Sequence, residues 1–389
     1  MEFNTEKGIV FDIGSLYAHF QTLKDSRNAK GLRYELVSIL VMILMAKICG
    51  EDTPYGIADW VKHRSEQFIE WLSLKRKSMP HHTTYRRILQ EVICIDELEQ
   101  MVSDYLTQKK HLGKQVLLSI DGKVMRGTLD DRQKGTYLLA AYLPSKSLVL
   151  MEIQIEGKGT EIAGAQKLLK MVDLREKVVM GDALHTQREI SIQIVEAEGD
   201  YIWFAKGNQP QMQENIRLWF EPEPDPIPGM GRLPKDFEVA KKTNKEHGRL
   251  EKRTLTVSSQ LNDFLDWPYL EQVFMLERRA VSTKTGEIVT EQTVYGFTSL
   301  SRKEVSPDQL LEMTRSYWGI ENGLHYRRDV TLNEDRTRMT KGNIGQAMAC
   351  INNLVIGLLI GRLNYRYLPE TRRFFNAYPA KALDLILLL

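Results

Sequence analysis

Cysteine is scarce in this chain: three residues, Cys49, Cys94 and Cys350, with no CxxC pair. That excludes a disulfide framework and a cysteine-built zinc site, and it fits a reducing cytoplasm. Long apolar runs are missing as well. The most apolar segment, LVSILVMILMA from Leu36 to Ala46, is bounded by Glu35 and Lys47. It is too short to span a bilayer and reads as a buried helix. The opening MEFNTEKGIVFDIG carries acidic residues and no apolar core, so it does not read as a signal peptide. Nor is there a large charge of one sign, the formal net charge being +2. A uniformly basic polypeptide is excluded by this, but a nucleic-acid partner is not, because acidic residues elsewhere can hide a basic surface in the total. We find no internal repeat and no low-complexity tract.

What is present divides by hydrophobic pattern. Residues 1–112 read as a helical domain. YELVSILVMILMAKICG is a helix stopped by Gly50, and Ile57, Trp60, Val61, Phe68 and Trp71 recur at helical spacing. After KSMPHH, Thr83 or Thr84 is placed to cap a helix that begins YRRILQEV. Its Tyr85, Arg86 and Arg87 make it a candidate for reading DNA, with a basic packing helix as the alternative.

Near residue 114 the pattern changes. KQVLLSID, TYLLAAYL and LVLMEIQIEG read as strands, the last two joined at PSKS, Pro144 to Ser147. TEIAGAQKLLKMVD then reads as a helix, KVVMGDA as a strand, QREISIQIVEAEG as a helix and DYIWFAK as a strand. Thr186 and Glu189 fit a capping box for the second helix. The order of three strands, then alternating helix and strand, predicts a mixed sheet with helices on its faces. It is also the order of the ribonuclease H-like fold. A Pro/Gly-rich linker, EPEPDPIPGMGRLP, opens a β-rich block at about 222–302, and helices close the chain. The fold class expected is thus α/β: a ribonuclease H-like mixed-sheet core over 113–389 with a β-rich insertion, preceded by the helical domain.

Two carboxylates stand out. Asp121, in LLSIDGKVMRGT, is expected to end the first strand of the sheet, and Asp182, in VVMGDALHTQ, to end the fourth. Ligands gather outside strand ends in open α/β sheets. In the order above these strands are neighbours, so the aspartates face one another, and a divalent cation between them would relieve their repulsion. The alternative is a turn aspartate in each place. Glu321, in YWGIENGLHYRRDV, is the candidate third carboxylate. On an α-helix Glu321, His325 and Arg328 share one face, with Trp318 and Leu324 as anchors to the sheet. Asp329, Glu334 and Asp335 lie close enough in sequence to compete for that role.

In this order SIDGKVMRGT, GDALHTQ, DYIWFAKGNQ, EHGRLEKR and WGIENGLHYRRDVTLNED resemble the ISAs-type insertion-sequence DDE transposases, which include the Rhs H-repeat-associated group. The resemblance covers nearly the whole chain. It implies a ribonuclease H-like catalytic core in which Asp121, Asp182 and Glu321 bind metal, with a β-rich insertion between the second aspartate and the glutamate. There are two departures. Many relatives have Trp-Val-Leu-Asp where this chain has Tyr326, Arg327, Arg328 and Asp329; and Thr314 and Tyr317 stand where the wider group carries a Tyr and an Arg.

The implied reaction is metal-dependent cleavage and strand transfer of insertion-sequence ends, with two Mg²⁺ or Mn²⁺ ions about 3.5–4 Å apart. Double-stranded DNA, as element ends and as target, is the partner. The protein is expected to be a homo-oligomer on DNA, cytoplasmic at the bacterial nucleoid, with no membrane association. Lys123, Arg126, His185, Lys206, Asn208, Gln209, Arg249, His325 and Arg328 are candidate DNA contacts, the alternative for each Lys or Arg being solvated surface charge. Two rival functions share the fold: a catalytically silent DNA-binding relic or regulator, and a ribonuclease H-like nuclease without strand transfer.

Overall fold

The structure, a computed structural model, describes residues 9–30, 32–108, 113–132, 134–221, 234–246 and 248–388. The Pro/Gly-rich linker at 221–234 lies almost wholly outside the described residues.

Nine strands form one mixed sheet. They are β1 (Val116–Val124), β2 (Tyr137–Leu143), β3 (Leu148–Ile155), β4 (Lys177–Met180), β5 (Asp200–Ala205), β6 (Glu238–Glu246), β7 (Arg249–Ser258), β8 (Gln272–Ser282) and β9 (Ile288–Thr298). Their order is β3-β2-β1-β4-β5-β9-β8-β7-β6. β1 to β3 form an antiparallel meander. Its second turn is the PSKS segment, where Ser147 takes up a left-handed φ of 50°. β4 and β5 then add in parallel to β1, each after a helical crossover.

β4 is four residues long and buried throughout, as an apolar run covered on both faces should be. The helix Glu161–Lys170 covers β2 and β3, Arg188–Glu196 covers β5, and Pro210–Phe220 lies over β5, β8 and β9.

The β-rich block does not stand apart from this core. β9 pairs antiparallel with β5, so four strands continue the same sheet rather than forming a second one. Gly296 makes the junction possible. A Cβ there would lie 2.2 Å from Phe274 Cζ and 2.4 Å from the Trp203 carbonyl oxygen.

The N-terminal helices likewise share a core with the rest. Ile95–Thr107 packs on β3 and on the C-terminal helix Ile344–Ile356, and Leu36–Ile48 packs on Ile344–Ile356 and Pro379–Leu387. Every residue of Leu36–Ile48 is buried. One helical stretch, Ile344–Arg362, is long and apolar enough to cross a membrane, but 89% of it is buried inside the fold.

Two expected helix starts are corrected. The helix at His82–Arg87 begins at His81 with no side-chain cap, so neither Thr83 nor Thr84 caps it. The helix at Arg188–Glu196 begins at Gln187, also uncapped, and Thr186 and Glu189 form no capping box. Asp182 caps a separate short turn just upstream, Ala183–His185, which uses the chain that the box would have needed.

Candidate active site

β1 and β4 are adjacent and parallel, with Ser119 opposite Met180. Continuing that register by two residues sets Asp121 beside Asp182. Asp121 does not end its strand, as the sequence suggested. β1 runs on to Val124 against β2, so Asp121 sits on a continuous strand past the end of β4.

Asp182 begins the loop after β4. One of its carboxylate oxygens accepts the backbone N–H groups of Leu184 (3.0 Å) and His185 (3.3 Å). The ring of His185, fully buried, brings Nδ1 to 2.7 Å from Asp182 Oδ1, but not aligned as a hydrogen bond. Burial alone would raise the Asp182 carboxyl. His185 and the two backbone N–H groups outweigh it and hold the group below the usual carboxylate range. Gly181 is what lets the imidazole sit here, because a Cβ would meet Ile120 Cγ1 at 2.9 Å and His185 Cβ at 3.0 Å.

Glu321 lies on a helix that begins as Pro307–Ser316 and continues π-wound through Ile320–His325 and Arg327–Thr331. Its side chain is exposed. Leu324 anchors the helix as expected, but Trp318 does not, being 51% exposed; Ile320 and Tyr317 point inward instead. His325 is buried and sets Nε2 3.2 Å from Asp121 Oδ2.

Tyr317 is buried on the same helix as Glu321. Burial first, and then the charges of Asp121, Asp182 and Glu321, push its phenol upward. Those carboxylates come from β1, from the loop after β4 and from the helix that also carries Tyr317. Sequence reading noted Tyr317 only as a departure from related patterns.

The donor set is right for a hard divalent cation: carboxylates from three elements, no cysteine among them, and buried imidazole nitrogens with no hydrogen-bond partner beside two of them. Among the described residues, no three His, Cys, Asp or Glu are drawn together closely enough to hold an ion as they stand. Each aspartate has a buried imidazole as its neighbour.

Four candidate DNA contacts turn out to be internal, His325 being the one already described against Asp121. Arg328 is fully buried. It pairs with Glu152 on β3 and with Glu334, where Nη2 stands 2.8 Å from Oε1. The π-winding is the reason: hydrogen bonds from i to i+5 widen each turn, so a residue seven on from Glu321 no longer returns to its face. Lys123 is 7% exposed, its ammonium paired to Asp329 and 3.4 Å from Asp335. His185 is also buried, facing Asp182 rather than solvent.

Asn208 and Gln209 brace the Asp182 loop. Asn208 Nδ2 donates to the Ala183 carbonyl and Gln209 Nε2 to that of Thr186. Arg126 is exposed, although its backbone N–H donates to Asp335. Lys206 is exposed at the end of β5, and Arg249 at the tip of the β6–β7 hairpin.

Comparison with known proteins shows the family. Residues 17–106 match the DDE_Tnp_1-associated family, and residues 112–358 match the Transposase DDE domain. The H repeat-associated putative transposase YhhI of Escherichia coli K12 is 25% identical over 358 residues, covering 90% of this chain and 91% of its own. The putative transposase YncI of Escherichia coli O157:H7 is 26% identical, covering 89% and 87%. A piggyBac transposase synaptic complex with hairpin DNA aligns with 95% of this chain and 77% of its own at a TM-score of 0.46 and 11% identity, too distant to add to these matches. Having a DDE domain over most of its length, the chain belongs to the DDE transposase family.

Proposed function

We propose that this transposase cuts and joins the ends of an insertion sequence at a site made by Asp121, Asp182 and Glu321. The observation that carries the reading is the parallel pairing of β1 with β4, Ser119 opposite Met180, which carries Asp121 alongside Asp182. The ribonuclease H-like core is supported by the order β3-β2-β1-β4-β5, which sets the strands of Asp121 and Asp182 side by side. On this reading 1–112 is the helical transposase-associated domain and 113–389 the catalytic domain.

Asp121, Asp182 and Glu321 would hold two divalent cations, Mg²⁺ or Mn²⁺. Bound there, such ions lower the pKa of an attacking water or DNA 3′-hydroxyl and stabilise the leaving oxygen. The chain's own residues do the rest. The Leu184 and His185 backbone N–H groups fix the Asp182 carboxylate in one rotamer. Asn208 and Gln209 keep that loop from shifting. Arg126, Lys206 and Arg249, all exposed, would hold DNA phosphates. The DNA-bound form is an oligomer, because two ends must meet, and it acts in the cytoplasm at the nucleoid.

The test is cleavage and strand transfer on DNA flanking the gene, with Mg²⁺ or with EDTA. Asp121→Asn should abolish both while sparing DNA binding. Cutting at the normal rate by that variant would refute the site. Binding without cleavage in any metal would instead favour a silent DNA-binding relic, and cleavage without joining a plain nuclease.

A further inference from the structure

We infer that Lys123 and Asp329 are positioning residues, forming the second rung of a ladder that sets the distance between β1 and the Glu321 helix. The inference rests on the metal-dependent reading above and adds to it a device that sets the carboxylate spacing.

The ladder follows from two periodicities. Side chains two apart on a strand share a face, so Lys123 points to the same side of β1 as Asp121. On the π-wound helix His325 and Asp329 are four apart, close to one wide turn. The two pairs meet in register. Asp121 faces His325 at 3.2 Å, and Lys123 pairs with Asp329. Asp335 strengthens the second rung, at 3.4 Å from the Lys123 ammonium, while accepting the Arg126 backbone N–H at 3.2 Å. The turn after β1 is thereby tied to the same segment.

Such a strap has a physical purpose. Carboxylates brought to one ion repel one another, so the elements that carry them have to hold their spacing. Glu321 is carried by the helix, and its side chain is exposed. Arg328, pinned between Glu152 and Glu334, fixes the far side of the same helix. Lys123 is committed to two carboxylates and nearly buried, which leaves it poorly disposed to meet a phosphate.

The test compares wild type, Lys123→Met, Asp329→Asn and Lys123→Arg. Mn²⁺ binding to the full chain is read by electron paramagnetic resonance, and affinity for an element-end duplex is read in EDTA across a salt series. Thermal midpoints show whether each variant is folded. We expect Lys123→Met and Asp329→Asn to weaken Mn²⁺ binding about tenfold, as loss of outer-shell partners does. Duplex affinity and its salt slope should stay unchanged, and Lys123→Arg should keep Mn²⁺ binding near wild type.

A Lys123→Met protein that binds Mn²⁺ normally, with a salt slope lower by about one, overturns the inference and makes Lys123 a phosphate contact. Asp329→Asn covers the case in which Lys123→Met does not fold, since it leaves Lys123 its second partner; normal Mn²⁺ binding there also overturns the inference. Wild type that binds no Mn²⁺ overturns the metal reading itself, and the ladder's role with it.

Discussion

His325 Nε2 stands 3.2 Å from Asp121 Oδ2, joining the π-wound helix of Glu321 directly to the first strand of the sheet. The ring is buried and makes no aligned hydrogen bond, so the aspartate is the acidic group it faces. Replacing it with alanine removes that neighbour without touching the carboxylate. His325→Ala should therefore slow cleavage by about tenfold to a hundredfold, the range seen when an outer-shell partner is lost. Asp121→Asn should abolish cleavage. Single-turnover rates on a pre-nicked and an intact duplex would check this; a His325→Ala enzyme as fast as wild type would remove the imidazole from the mechanism.

Arg328 offers a stability test. Its guanidinium is fully buried between Glu152 and Glu334, with Asn352 and Asn353 bonded to the same carboxylates. Arg328→Met leaves two buried carboxylates without their counter-ion, a loss of about 3–5 kcal/mol. Denaturant unfolding should show it plainly. Arg249→Ala, at an exposed hairpin tip, should leave the midpoint unchanged.

Glu99 gives a pH test whose direction can be worked out. It is buried at the contact between the N-terminal helices and the sheet, and burial, followed by the charge of Glu152, raises its carboxyl well above the ordinary value of 4.5. A raised carboxylate binds more protons folded than unfolded. Its favourable contribution is therefore complete below pH 4.5 and is lost as pH climbs toward the folded value. Glu99→Gln cannot ionise, so its stability relative to wild type should improve steadily as pH rises from 4.5 to neutrality. Thermal midpoints over that range would show it; a Glu99→Gln protein that loses ground to wild type with rising pH would contradict the assignment.

At the junction of β5 and β9, Gly296→Ala puts a Cβ 2.4 Å from the Trp203 carbonyl oxygen. The neighbour is backbone and cannot step aside. The expected effect is a lower midpoint and earlier hydrogen exchange in β9, with β1 to β3 less affected.

The central geometry was legible because it depends on local pattern and strand order. The apolar runs ending near Asp121 and Asp182 marked the two strands, and the ribonuclease H-like order of elements made β1 and β4 neighbours, as they are. The features that stayed hidden depended on winding and on distant partners. Arg328 looked exposed because seven residues return to one face only in an α-helix. Lys123 looked like a phosphate contact because its partners, Asp329 and Asp335, are remote in sequence. The Thr186 cap failed because Asp182 had already capped the turn before it. The strands β6 to β9 were read as a block, but no local signal announces that β9 will lie beside β5.

A π-turn can be described as an α-helix carrying surplus residues, and here two such stretches cover Glu321 and the residues up to Thr331. The helix is thus sensitive to length as well as to composition. Losing one residue between Glu321 and Asp329 would rotate the downstream residues by about 100°, the α-helical step, and swing Asp329 away from Lys123. Substitutions in this segment leave the phase of the helix intact, whereas a one-residue deletion changes the partner of every side chain beyond it.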